Sequence, residues 1–186
     1  MSGVRLLACA PTPALRAAAF GGDDEPDEAG LRAASSLTGR RGLRAAVPWV
    51  SGGSRAATAT ARALGRSATA VPDLADPDFG RWSGAALHHV AQREPAAVQA
   101  WLTDPAAAPH GGESLSAVST RVGAWLDVHP DLPVVAVAHP VVVRAALAHA
   151  LGLPAAAVWR LDVAPLALAR LTWRAGRWHL HLPAAG

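Results

Sequence analysis

Two kinds of hydrophobic pattern divide this chain. Short unbroken apolar runs mark buried strands, and longer stretches with apolar residues three and four apart mark helices. Val4–Cys9 and the run VVAVAH, residues 134–139, belong to the first kind, as central parallel strands do. AAVPWVS (45–51) is predicted as a second strand, and Ala68–Val71 as a short one. Helices are predicted over Ala14–Phe20, Asp27–Leu37, Arg55–Leu64, Ala85–Leu102, Leu115–Val128 and Val141–Leu151. Ser54 and Ser114 stand where N-caps belong, and Gly152 stands where the last of these helices should stop. The tail changes period. LALARLTW (166–173) and RWHLHL (177–182) alternate around Arg174-Ala175-Gly176, the signature of a β-hairpin.

Strand and helix therefore alternate until a hairpin ends the series. The pattern predicts one α/β domain over 1–186, a three-layer α/β/α sandwich around a mostly parallel sheet. Ligands of such sheets sit where strands end and helices begin. Three turns qualify: Cys9 to Thr12, Ser51 to Arg55, and Ala138 to Val141.

Composition narrows the options. At 51% hydrophobic residues, 186 residues can bury one good core. Arg, Asp, Pro or His interrupts every apolar run before membrane-span length, and Pro11 closes the N-terminal run too early for a secretory signal. A cytoplasmic, membrane-free protein is expected. Its single cysteine excludes an internal disulfide and suits a reducing compartment. All 17 basic residues are arginine, yet the net charge is only +3. These arginines are scattered along the sequence, and the trio Arg40, Arg41 and Arg44 is short. No nucleic-acid partner is expected on that ground.

The three turns carry Cys9, Arg55 and His139. A helix start offers backbone N–H groups, an arginine offers a phosphate-matching fork, and an imidazole offers a donor. That set suits a tetrahedral anion. For each residue a plainer role exists: Cys9 as a small buried side chain, His139 as a strand-end cap, Arg55 as a solvated helix-start residue. Asp76 in LADPDFG could simply form a turn. Trp82, Trp101 and Trp125 are predicted as core. Neither His88-His89, pointing to different sides of a helix, nor His179 and His181 on an edge strand, is expected to hold a metal.

Five motifs in order resemble the histidine phosphatase superfamily, the phosphoglycerate mutase-like proteins. They are Ala8-Cys9-Ala10-Pro11-Thr12, Ser51-Gly52-Gly53-Ser54-Arg55-Ala56, Asp76 through Gly84, Gly112-Glu113-Ser114, and Ala138-His139-Pro140 with Arg144 following. The resemblance implies that Cys9 stands for the family's attacking histidine and Ala8 for the arginine before it. It also implies that Arg55 and His139 bind phosphoryl oxygens, with Asp76 at the proton-donor position. Thr12 and Arg16 are candidate phosphate contacts, Arg16 as a substitute for the missing arginine. Ser51 and Glu113 are supporting residues. The acidic loop 21–28 and the segment 85–112 are expected to form a lid. No cofactor is implied, and the expected partner is a small phosphate ester or other anion.

Three roles for Cys9 follow: a thiolate nucleophile, a lost nucleophile in a pocket that still binds anions, or a fold kept for other chemistry. The phosphate-wrapping loop of protein tyrosine phosphatases is absent. Six residues separate Cys9 from Arg16, one too many, and Pro11 and Pro13 lack the N–H groups such a loop uses.

Overall fold

The computed structural model of the chain describes residues 3–40, 42–43, 46–128 and 133–182. Ala45, where the second strand was predicted to begin, and Arg41 and Arg44 of the basic trio lie outside them. Six strands form one sheet: β1 (Val4–Ala8), β2 (Trp49–Ser51), β3 (Thr69–Ala70), β4 (Val134–Ala138), β5 (Leu168–Arg174) and β6 (Arg177–His181). Their order is β3-β2-β4-β1-β5-β6. The first four run parallel, with Val4 against Val134 and Ala8 against Ala138. The hairpin β5–β6 is antiparallel to β1. Ala175 and Gly176, both at positive φ, make its two-residue turn.

The helices are α1 (Pro13–Arg16), α2 (Glu28–Ser36), α3 (Arg55–Ala63), α4 (Leu87–Arg93), α5 (Pro95–Thr103), α6 (Leu115–Asp127) and α7 (Pro140–Ala150). Strand alternation sends Val4, Leu6 and Ala8 into a core with α6 and α7, and Leu7 and Cys9 into a second core with α3. The three-layer sandwich follows directly. Leu6 and Leu7 are almost completely buried, each contributing about 1.5–3 kcal/mol of transfer free energy. The phosphoglycerate mutase-like α/β fold is thus the one predicted.

Two predicted helices are corrected. The one over 14–20 is a single turn, because Ala18 takes a left-handed backbone at φ 48° and ends it. The one over 85–102 is two helices. Glu94 leaves helical geometry ahead of Pro95, whose ring disfavours the helical conformation in the residue before it. This region packs a third cluster of Phe20, Phe79, Trp82, Val90, Val98 and Trp101. Trp82, Trp101 and Trp125 are buried as predicted. His88 and His89 do not diverge: their exposed rings lie with centroids 3.9 Å apart.

Candidate active site

The carboxyl ends of β1, β2 and β4 open onto a cleft whose empty space, its open mouth included, is about 330 Å³. Cys9, Thr12, Leu15, Gly21, Gly22, Ala56, Asp76 and His139 are among the residues that line it. Of the predicted site residues, the cleft gathers Cys9, Thr12, Asp76 and His139. Gly21 and Gly22 of the acidic loop belong to its wall, whereas none of the lining comes from 85–112.

Cys9 directly follows β1 and donates its N–H to the Ala138 carbonyl at 2.9 Å, which locks the two strand ends together. The thiol is 1% exposed. Burial, with the Asp76 carboxylate adding to it, pushes its pKa up to about 12. The next N–H, of Ala10, is caught by Thr60 Oγ1 at 2.9 Å, and the same hydroxyl donates to the Ala56 carbonyl at 2.7 Å. Thr60 is fully buried in α3. Sequence reasoning passed over it, although a polar residue on the apolar face of ATATAR is the signal that could have found it. Thr12 caps α1, accepting the Leu15 N–H at 3.1 Å.

His139 is the N-cap of α7. Its Nδ1 accepts the Val141 N–H at 3.2 Å, so the ring is neutral at that nitrogen and carries its proton on Nε2. Burial, helped by the Arg144 charge, lowers its pKa to about 4. Asp76 is the cleft's acid. Burial raises its pKa to about 6 against the donated Ser54 hydroxyl at 3.3 Å, and the nearby Asp23 charge raises it further.

The arginines are placed differently. Arg55 begins α3 as predicted, but its guanidinium turns to Glu25 at 3.1 Å and is more than half exposed. Its backbone N–H donates to Asp23 Oδ1 at 2.7 Å. Arg16 is held by Asp27 at 2.6 Å, and neither guanidinium is among the lining groups. Arg121, whose charge also reaches Asp76, makes a two-pronged pair with Glu113 at 2.7 and 2.9 Å and donates to the Asp73 carbonyl at 2.8 Å. Glu113 thereby braces the turn that carries Asp76. Ser51 is buried and accepts the Gly53 N–H at 3.3 Å, shaping the turn before α3. The acidic loop thus sets a carboxylate on each cation of the cleft mouth, a feature that requires knowing its three-dimensional course.

The family model described as histidine phosphatase superfamily (branch 1) matches residues 23–185. The chain belongs to the histidine phosphatase superfamily. The span matched to this superfamily includes Arg55, Asp76, Glu113 and His139 and begins after Cys9. A Mycobacterium tuberculosis relative, the bifunctional protein Rv2228c, is 34% identical over 146 residues, 74% of this chain. The chain matches only 40% of that relative's length. Among solved histidine phosphatase-like structures, the mycobacterial glucosyl-3-phosphoglycerate phosphatase Rv2419c in complex with VO3 is 28% identical with full coverage of both chains and a TM-score of 0.81. The alpha-ribazole phosphatase from Shigella flexneri shares the fold at 20% identity, covering 98% of this chain and 96% of its own, with a TM-score of 0.83. Among the described residues no group of three or more His, Cys, Asp or Glu could hold a metal ion, and no helix is long and apolar enough to cross a membrane.

Proposed function

We propose that this protein uses the superfamily's cleft to capture a small phosphate-bearing or similarly anionic ligand, in the cytoplasm, with phosphomonoester hydrolysis lost or strongly reduced. Cys9 takes the position of the attacking histidine and Ala8 that of the preceding arginine. The observation that carries this reading is the buried Cys9 thiol with its pKa near 12. A thiol raised so far by burial stays protonated at pH 7, and the thiolate is the form that attacks phosphorus.

Binding is supported by what remains. The Nε2–H of His139 is free to donate to an oxyanion. The Arg55 N–H and guanidinium are occupied by Asp23 and Glu25, which act as a tethered anion. Exposed pairs of this kind are worth about 0–1 kcal/mol, so a phosphate dianion can displace them. Asp76 opposes an anion when ionised, and the burial that raises its pKa to about 6 eases that repulsion.

One observation favours a second reading. A carboxyl poised near pH 6 is suited to proton transfer, so Asp76 could serve a hydrolase that activates water instead of Cys9.

Calorimetry with phosphate and vanadate, alongside aryl phosphate turnover, separates these readings. Capture predicts binding that weakens in Arg55→Ala and tightens in Asp76→Asn at pH 7, with turnover near background. The pair Ala8→Arg and Cys9→His should then restore hydrolysis. Turnover that survives Cys9→Ala but disappears in Asp76→Asn selects the water mechanism. No binding of either anion sinks the capture reading.

A further inference from the structure

Arg5 of β1 lies directly opposite Arg170 of β5, which lies directly opposite His181 of β6. Residues so paired share one face with Cβ atoms about 5 Å apart, and like charges there repel. The same face continues outward along the hairpin through the pairs Thr172–His179 and Arg174–Arg177. Leu168 is its one apolar member on β5, and none of these positions is acidic. Arginines scattered over residues 5, 170, 174 and 177 are gathered here by the two-residue alternation of strands.

The two arginines at the inner end of this face are unsatisfied. Arg5 is 7% exposed, and its Nε and Nη1 are buried without an acceptor. Arg170 Nε is likewise buried and unpartnered. Among the described residues none of Arg5, Arg170, Arg174 and Arg177 forms an ion pair, whereas Arg16, Arg55 and Arg121 near the cleft each hold a carboxylate. A guanidinium cannot shed its proton, so burial leaves a charge that only a counter-ion can balance. Gly42 covers Arg5 on one side: a Cβ built there would lie 3.9 Å from Arg5 Nε. Arg170 and His181 are half-buried, and His181 Nε2 is paired with Thr172 Oγ1 at 2.8 Å, which fixes the ring at the edge of the rung.

We infer that the rung formed by Arg5, Arg170 and His181 is a binding site for a phosphate group, separate from the cleft. Arg5 precedes Cys9 by four residues, about 13 Å along a strand, so the two sites lie at opposite ends of β1. Forked donors converging from neighbouring strands fit an anion with several oxygens. An acidic protein partner fits poorly, because protein interfaces centre on apolar residues and this face is basic along its length. Two sources could supply the phosphate. One is a free phosphorylated small molecule held on the inner rung. The other is a phosphodiester strand that continues over His179, Arg174 and Arg177.

The test uses the full chain, with pyrophosphate and a twelve-nucleotide single-stranded DNA as probes. At tenfold excess over its dissociation constant, pyrophosphate should raise the melting temperature by about 3 °C. That rise should persist in Arg55→Ala, which weakens binding in the cleft, and in that background it should vanish when either Arg170→Met or His181→Ala is added. In phosphate-free buffer Arg170→Met should melt higher than the natural chain, since it removes the facing like charge. DNA binding at least tenfold tighter than pyrophosphate, weakened by Arg174→Ser with Arg177→Ser, identifies a phosphodiester strand. Pyrophosphate binding without DNA binding identifies the small molecule. The inference is overturned if neither probe binds, if the shift disappears in Arg55→Ala alone, or if it survives Arg55→Ala combined with Arg170→Met.

Discussion

The Thr60 hydroxyl receives the Ala10 N–H at 2.9 Å across fifty residues of sequence, and both residues are fully buried. It is the joint between α3 and the turn that follows β1. Thr60→Val keeps the shape and removes the acceptor, leaving a buried N–H unsatisfied. Such a group costs about 1–3 kcal/mol. A urea titration should show the midpoint falling accordingly with an unchanged slope; a midpoint equal to that of the natural chain would mean the joint contributes nothing.

Two cleft groups titrate in opposite senses. Asp76 binds its proton more tightly folded, near pH 6 against an ordinary 3.8. Its contribution to stability is full below pH 3.8 and is lost as pH rises through 6. His139 is shifted the other way, to about 4 from 6.5. Its contribution is full above pH 6.5 and is lost as pH falls towards 4. Between these limits the two nearly cancel. Relative to the natural chain, Asp76→Asn should therefore lose stability on acidification from pH 6.5 to 4, and His139→Asn, which keeps a capping acceptor, should gain it. Denaturation midpoints measured across that range check both signs, and parallel profiles for all three proteins would refute the assignment.

Cys9 should resist alkylation in the folded protein. With 1% exposure and a pKa near 12, its reaction with iodoacetamide at pH 8 has to wait for unfolding. Intact-mass analysis should show no adduct natively and one adduct in urea. Rapid stoichiometric labelling of the native chain would indicate a reactive thiol and reopen catalysis by Cys9.

Much of this architecture is written locally in the sequence. The strands β1 and β4 are unbroken apolar runs, and Ser54 and Ser114 cap α3 and α6 as their positions predict. Where local signals compete, the sequence is less explicit. The alanine-rich stretch after Pro13 favours helix, but Ala18 reverses the backbone so that Ala19 can bridge Ala86. Cys9, Asp76 and His139, carried by three separate motifs, line one cleft. The motifs did not reveal that Arg16 and Arg55 would be occupied, because the carboxylates that hold them lie in a loop without regular secondary structure. Nor did they reveal the basic face, since strand pairing alone sets Arg5 beside Arg170.

The place of β1 in the sheet has a consequence for how the protein is made. This strand lies between β4 and β5, yet it leaves the ribosome well before either. Until β4 has been synthesised neither hydrogen-bonding edge of β1 has a native neighbour, and its second edge waits for β5. The cleft therefore assembles only after β4 has followed β1, and a chaperone that shields an extended apolar segment would act most usefully on Val4–Cys9.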